Sequence, residues 1–214
     1  MQKLLGLIAV LLFLIGGCAA SVPAPSSKPE KPETAAEKPA NREAVGRLIA
    51  AKVKELQGKH ALAAAELEQA VALDTTSVTL YRALAQNHLR ANNPKAALAA
   101  ARRALTLDST SVELHWLVFH TLRGAGDDSA AATELESILA LDPQEMNAYS
   151  RLSEIYHRTG QRLRMIALLD RLRLVPGLSV NTRLVIVRQY AEAEAYDRAE
   201  AVCRAILEED AHAE

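Results

Sequence analysis

Four aspartates, six histidines and two cysteines are the residues of this chain best suited to chemistry: Asp74, Asp108, Asp142 and Asp210; His60, His88, His115, His120, His157 and His212; Cys18 and Cys203. Paired carboxylates would relay protons, histidines would hold a metal or act as bases, and a cysteine would attack or be modified. Their spacing argues against most of this. The aspartates keep one 34-residue phase, so they read as a single helix-ending residue repeated, not as acids converging on a pocket. No two histidines have HExxH or other metal-ligand spacing, and neither a nucleophile elbow nor a phosphate-binding glycine loop is present. His88 stands where Tyr156 and Tyr190 stand later and reads as a packed histidine. Cys203 shares the position of Leu67, Ala101, Leu135 and Leu169 and reads as a small buried hydrophobe. The chain therefore reads as a non-enzyme, with no metal and no cofactor.

The elements that position these residues follow from composition. Of 214 residues, 50% are hydrophobic and only 4% aromatic, a balance that suits helices better than a sandwich or barrel. The formal net charge is −1 and no run of Lys and Arg occurs, so nucleic acid is not an expected partner. Two cysteines this far apart make neither a disulfide framework nor a metal site.

The N-terminus gives Cys18 a different meaning. It reads MQK, then LLGLIAVLLFLI, then GGC: a positive charge, an apolar core too short for a comfortable bilayer span, then small residues. Ile15-Gly16-Gly17-Cys18 resembles the lipobox of bacterial lipoproteins. That resemblance implies removal of residues 1–17, acylation of Cys18 and a membrane anchor. Ala19 stands where the family's inner-membrane retention signal usually has Asp, so the resemblance implies an outer-membrane protein facing the periplasm. Residues 18–43 then carry five of the eight prolines beside balanced Lys and Glu, with no apolar periodicity, and read as a disordered tether.

From residue 44 the chain repeats itself. AAAELEQAVALDTTS (63–77), AALAAARRALTLDST (96–110) and AAATELESILALDPQ (130–144) are versions of one another. The beat divides the chain into 44–77, 78–111, 112–145, 146–179 and 180–213. Its twentieth position, which opens the second helix's packing face, holds Ala63, Ala97, Ala131 and Ala199, with the bulkier Met165 in the fourth unit. A loop position holds Gly58, Asn92, Gly126, Gly160 and Glu194, of which the first four accept a left-handed backbone. The period and these residues resemble the tetratricopeptide repeat, a helix–turn–helix unit. The resemblance implies an all-α, right-handed solenoid of five repeats, ten antiparallel helices around a concave face.

In that family, partners lie on the concave face lined by the first helix of each repeat. Carried over, the face comprises Lys52, Arg82, Gln86, Arg90, Trp116, His120, Arg123, Asn147, Ser150, His157, Arg158 and Arg188, among Glu55, Glu113, Glu154 and Glu192. The slight basic excess suits an acidic partner segment. Trp116, the single tryptophan, is either a central anchor or packed between repeats. As a whole the chain resembles tetratricopeptide lipoproteins that help type IV pilus secretins or secretion complexes assemble, or that adapt envelope proteases and murein hydrolases to substrates. The resemblance implies an envelope-anchored scaffold binding other envelope proteins. Self-association through the C-terminal repeat, which lacks a capping helix, is the alternative.

Overall fold

The computed structural model describes residues 39–211. Within them ten α-helices follow one another without a strand: α1 Pro39–Leu56, α2 His60–Leu73, α3 Val78–Arg90, α4 Pro94–Leu107, α5 Val112–Ala125, α6 Asp128–Leu141, α7 Met146–Arg158, α8 Arg162–Leu172, α9 Val180–Glu192 and α10 Tyr196–Ala211. Each helix packs on the next in the chain, and the first helices α3 and α5 also approach each other directly. That succession is the expected α-solenoid. Cys18, the rest of the signal-like and tether segment before residue 39, and His212 lie outside the described residues.

The repeat fixes where each helix stops. Within every pair, one residue adopts a positive φ: Gly58 (73°), Asn92 (58°), Gly126 (78°), Gly160 (67°) and Glu194 (53°). These are the five residues of the loop position, so even Glu194, an unfavourable type for this backbone, follows the geometry its neighbours impose. Between pairs, Asp74, Asp108 and Asp142 end α2, α4 and α6. Each turns its carboxylate onto the backbone N–H two residues on, at 3.0, 3.3 and 2.9 Å. These three aspartates make turns, as their spacing predicts, whereas Asp210, read as the same helix-ending residue, lies within α10. Ser77, Ser111 and Ser179 then cap α3, α5 and α9.

One boundary differs from the sequence reading. Helix α1 begins at Pro39, inside the stretch read as tether. Proline suits a helix's first turn, because its missing N–H would have no intrahelical partner there. Helix α8 is the shortest of the ten, stopping at Leu172 ahead of Pro176 and Gly177, the latter at φ 75°. The seven residues from Arg173 to Ser179 fill the gap, and a cavity of about 490 Å³ opens beside them, between α8, α9 and α10.

The core runs the length of the stack. Ala63, Ala97 and Ala131 have no exposed surface, which lets the helices of each pair approach closely. The ends are less covered. On α1, Val45, Ile49 and Val53 form an exposed stripe. On α10, Cys203 is only half-buried, correcting the reading of it as a buried hydrophobe: among the described residues no following repeat covers it.

Three of the four junctions between repeats share a polar latch. A ring on one first helix meets an acid 20 residues earlier, on the second helix of the preceding repeat. His88 Nε2 lies 3.3 Å from Glu68. The Tyr156 hydroxyl donates to Glu136 at 2.9 Å, and that of Tyr190 to Asp170 at 2.8 Å. At the remaining junction the acid's place holds Arg102, which is exposed, and the ring's place holds Leu122, which is fully buried. Burial, then the bond to Glu136, pushes the Tyr156 phenol up to about 12. The same two causes raise Tyr190 further.

Candidate protein-interaction face

The twelve residues assigned to the concave face all lie on first helices. Lys52 is on α1; Arg82, Gln86 and Arg90 on α3; Trp116, His120 and Arg123 on α5; Asn147, Ser150, His157 and Arg158 on α7; Arg188 on α9. None is buried, as the phase of the repeat requires of residues pointing away from the second helices. Contacts between helices show that they share a continuous surface. Arg82 donates to both carboxylate oxygens of Glu113 on α5, at 2.9 and 2.8 Å. Arg90 bonds Glu55 on α1, which Lys52 also meets at 3.1 Å. Phe119, Arg123, Arg151, Glu154, Ile155 and Arg158 line one depression between α5 and α7. A cleft of about 220 Å³ joins His157 on α7 to Gln189 and Glu192 on α9.

The cations are not a free basic stripe. Arg158 pairs with Asp128 at the start of α6, through bonds of 3.2 and 2.6 Å, and Arg188 lies 3.6 Å from Glu192. Among the described residues, five of the six expected cations thus have a carboxylate neighbour, and an incoming acid would compete with it. Arg123 is the exception. Its guanidinium sits over the Phe119 ring at 5.9 Å, with no carboxylate within ion-pair distance among the described residues. The charge available to a ligand therefore concentrates on the middle repeat.

That repeat also carries the aromatic surface. Trp116 is half-buried: its ring meets Phe119 edge-on at 5.3 Å and stacks on His120 at 5.7 Å. Trp116 packs on the core, as the second reading of it expects, and keeps part of its surface accessible. Burial holds the His120 pKa below the usual histidine range, and the charges of Arg123 and Arg151 lower it further. A neutral imidazole beside an indole and a guanidinium can take an apolar side chain and a carboxylate side by side. Counting positions along the repeat missed Arg151, which reaches this cluster from α7. It also missed the pairing that neutralises Arg82 and Arg90.

Ten helices in 34-residue pairs, with a left-handed residue inside each pair and an aspartate or proline–glycine stop between pairs, define a tetratricopeptide-repeat solenoid. Solved structures of that kind are similar to this one. A structure of the MamA protein matches with a TM-score of 0.59 and 19% identity, over 78% of this chain and 91% of that one. YrrB, described as a tetratricopeptide protein with an unusual peptide-binding site, matches with a TM-score of 0.56 and 16% identity, over 76% and 84%. The first tetratricopeptide domain of Spaghetti (RPAP3), bound to the HSP90 peptide SRMEEVD, matches with a TM-score of 0.51 and 17% identity, over 56% and 95%. At such identities the likeness is one of fold. No family model matches the chain, and the search of curated proteins gives no match. Among the described residues no helix is long and apolar enough to cross a membrane, and no three His, Cys, Asp or Glu side chains cluster as metal ligands.

Proposed function

We propose that this protein is a non-enzymatic, lipid-anchored scaffold of the bacterial envelope that holds extended segments of partner proteins on the face formed by its first helices. One observation carries the binding reading: a continuous accessible face across α1, α3, α5, α7 and α9, with Trp116, His120 and Arg123 at its middle. Two solved structures of like fold, the HSP90-peptide complex of Spaghetti (RPAP3) and YrrB, are themselves described by their peptide binding. The anchor rests on the lipobox-like Ile15-Gly16-Gly17-Cys18. Outer-membrane placement, and a part in assembling a pilus or secretion machine, belong to the same proposal.

A photo-crosslinker introduced at Ser150, beside the middle of the face, should capture a partner in intact envelopes. Trp116→Ala with Arg123→Glu should abolish that capture while leaving helicity intact, because neither residue is fully buried. Capture unchanged by the double substitution would move the site off this face. For the anchor, a fatty-acid analogue should label the wild type and not Cys18→Ser; equal labelling would remove the lipoprotein reading.

A further inference from the structure

The cavity between α8, α9 and α10 is an opened form of a groove one repeat earlier. Glu136, Arg164, Ala167, Leu168 and Arg171 line a space of about 410 Å³ beside α6, α7 and α8. Asp170, Arg198, Ala201, Val202 and Ala205, each 34 residues on, line the cavity of about 490 Å³. In the earlier groove Arg171 reaches across and donates to Glu136 at 2.6 Å. Its counterpart, Ala205, is too short to do so. Leu168, which is buried, gives way to the smaller and half-buried Val202. Leu139, also buried, gives way to Arg173, which the early stop of α8 leaves exposed. These three changes open the junction, and Val175, Leu178 and Ile186 complete an apolar wall.

The cations of that wall have donors to spare. Tyr190, Arg198 and Arg173 all approach one oxygen of Asp170, Oδ1, at 2.8, 3.2 and 3.6 Å. The tyrosine hydroxyl makes the hydrogen bond. Both arginines come to the oxygen through Nε and make no side-chain hydrogen bond among the described residues. Their Nη forks, which match the two oxygens of a carboxylate, are unclaimed. Of the other charged groups lining the cavity, Arg183 pairs with Glu209, and Asp197 has no ion-pair partner among the described residues. Three arginines against three acids leave no excess to hold a polyanion, so the site suits a single negative charge on an apolar body. Among the described residues the wall has no neutral hydrogen-bonding side chain to serve a peptide backbone.

We propose that this cavity binds a fatty acid of medium chain length, its tail against Val175, Leu178, Ile186 and Val202 and its carboxylate on the Nη groups of Arg173 and Arg198. The cavity shares no residue with the face carrying Trp116, and the site holds or fails independently of that reading.

Calorimetric titration of the full chain in lipid nanodiscs with octanoate, against empty nanodiscs, tests this. One octanoate should bind per chain. Octanol, with a similar tail and no charge, should bind at least about tenfold more weakly. Arg173→Gln with Arg198→Gln should weaken octanoate by a similar factor. Neither arginine is buried, and Tyr190 still bonds Asp170 in that variant, so the fold should stand. Ala205→Arg restores the residue that fills the earlier groove and should abolish binding. Its position is exposed, and circular dichroism should show helicity unchanged. Tighter binding in Ala205→Arg would reduce the attraction to charge alone and overturn the proposal. So would octanol matching octanoate, or no binding by the folded wild type. A peptide ending in a free leucine that bound more tightly than octanoate would make a partner's C-terminus the occupant, and would overturn the choice of a fatty acid.

Discussion

The third and fifth repeats place the same positions in different surroundings. In α6, Ala131, Leu135, Ile138 and Leu139 are all sealed from water. Their counterparts in α10 are Ala199, which is buried, Cys203 and Ile206, which are half-buried, and Leu207, which is 69% exposed. The residue types differ little. What differs is α7, which lies over α6 and has no equivalent over α10 among the described residues. In a solenoid, burial belongs to the neighbour as much as to the residue, and stability accumulates one junction at a time.

Substitution at matched positions is the strongest way to break that comparison. Leu135→Ala should cost about 2–5 kcal/mol, because it opens a cavity that its packed surroundings fill only in part. Leu207→Ala should cost no more than about 0.5 kcal/mol, since water already reaches it. Equal shifts in chemical denaturation would mean that α10 is covered after all.

A gain is expected at Glu194. Replacing it with Gly should stabilise the fifth repeat by about 1 kcal/mol, by relieving a positive φ in a residue with a Cβ. The exposed bridge to Arg162 that is lost contributes little against this. A loss of melting temperature would show that the bridge outweighs the backbone.

The latches give a pH test. With the Tyr156 pKa raised to about 12 in the fold, stabilisation is complete below about 10, the ordinary tyrosine value, and is lost as the pH rises through 12. Tyr156→Phe should flatten that alkaline decline. A decline of the same steepness in the variant would place its origin elsewhere.

Exchange kinetics give the gentlest test. Amides of 196–209 should exchange faster than those of 128–141, and Cys203 should react with a thiol reagent faster than a sealed cysteine would. Protection in α10 equal to that in α6, in a monomeric sample, would contradict the picture of an uncovered end.

The fold was legible because the repeat supplies several samples of each position. Gly58, Asn92, Gly126 and Gly160 announce a left-handed residue by type, and Glu194 inherits it by register. The start of α1 was not legible, since nothing before residue 44 keeps the phase that would reveal a turn. For the candidate face, the repeat assigned positions correctly to first helices, but it gave no pairing. Arg82 meets a carboxylate 31 residues on, and Arg90 one 35 residues back, so a tally of charges overstated the free cations. The latches escaped notice because they alternate His with Tyr and Glu with Asp, and skip one junction through Arg102 and Leu122. Chemistry was kept there while residue identity was not.

Those latches also make the repeats unequal as building blocks. The unit 146–179 receives an acid at Tyr156 and offers one at Asp170, so a second copy inserted after it would find the partner it needs. The unit 112–145 receives nothing polar at Leu122 yet offers Glu136; a duplicate placed behind it would press a carboxylate against leucine. A gene that grows by copying whole repeats could lengthen this protein smoothly through its fourth unit, whereas copying its third would leave a scar at the seam.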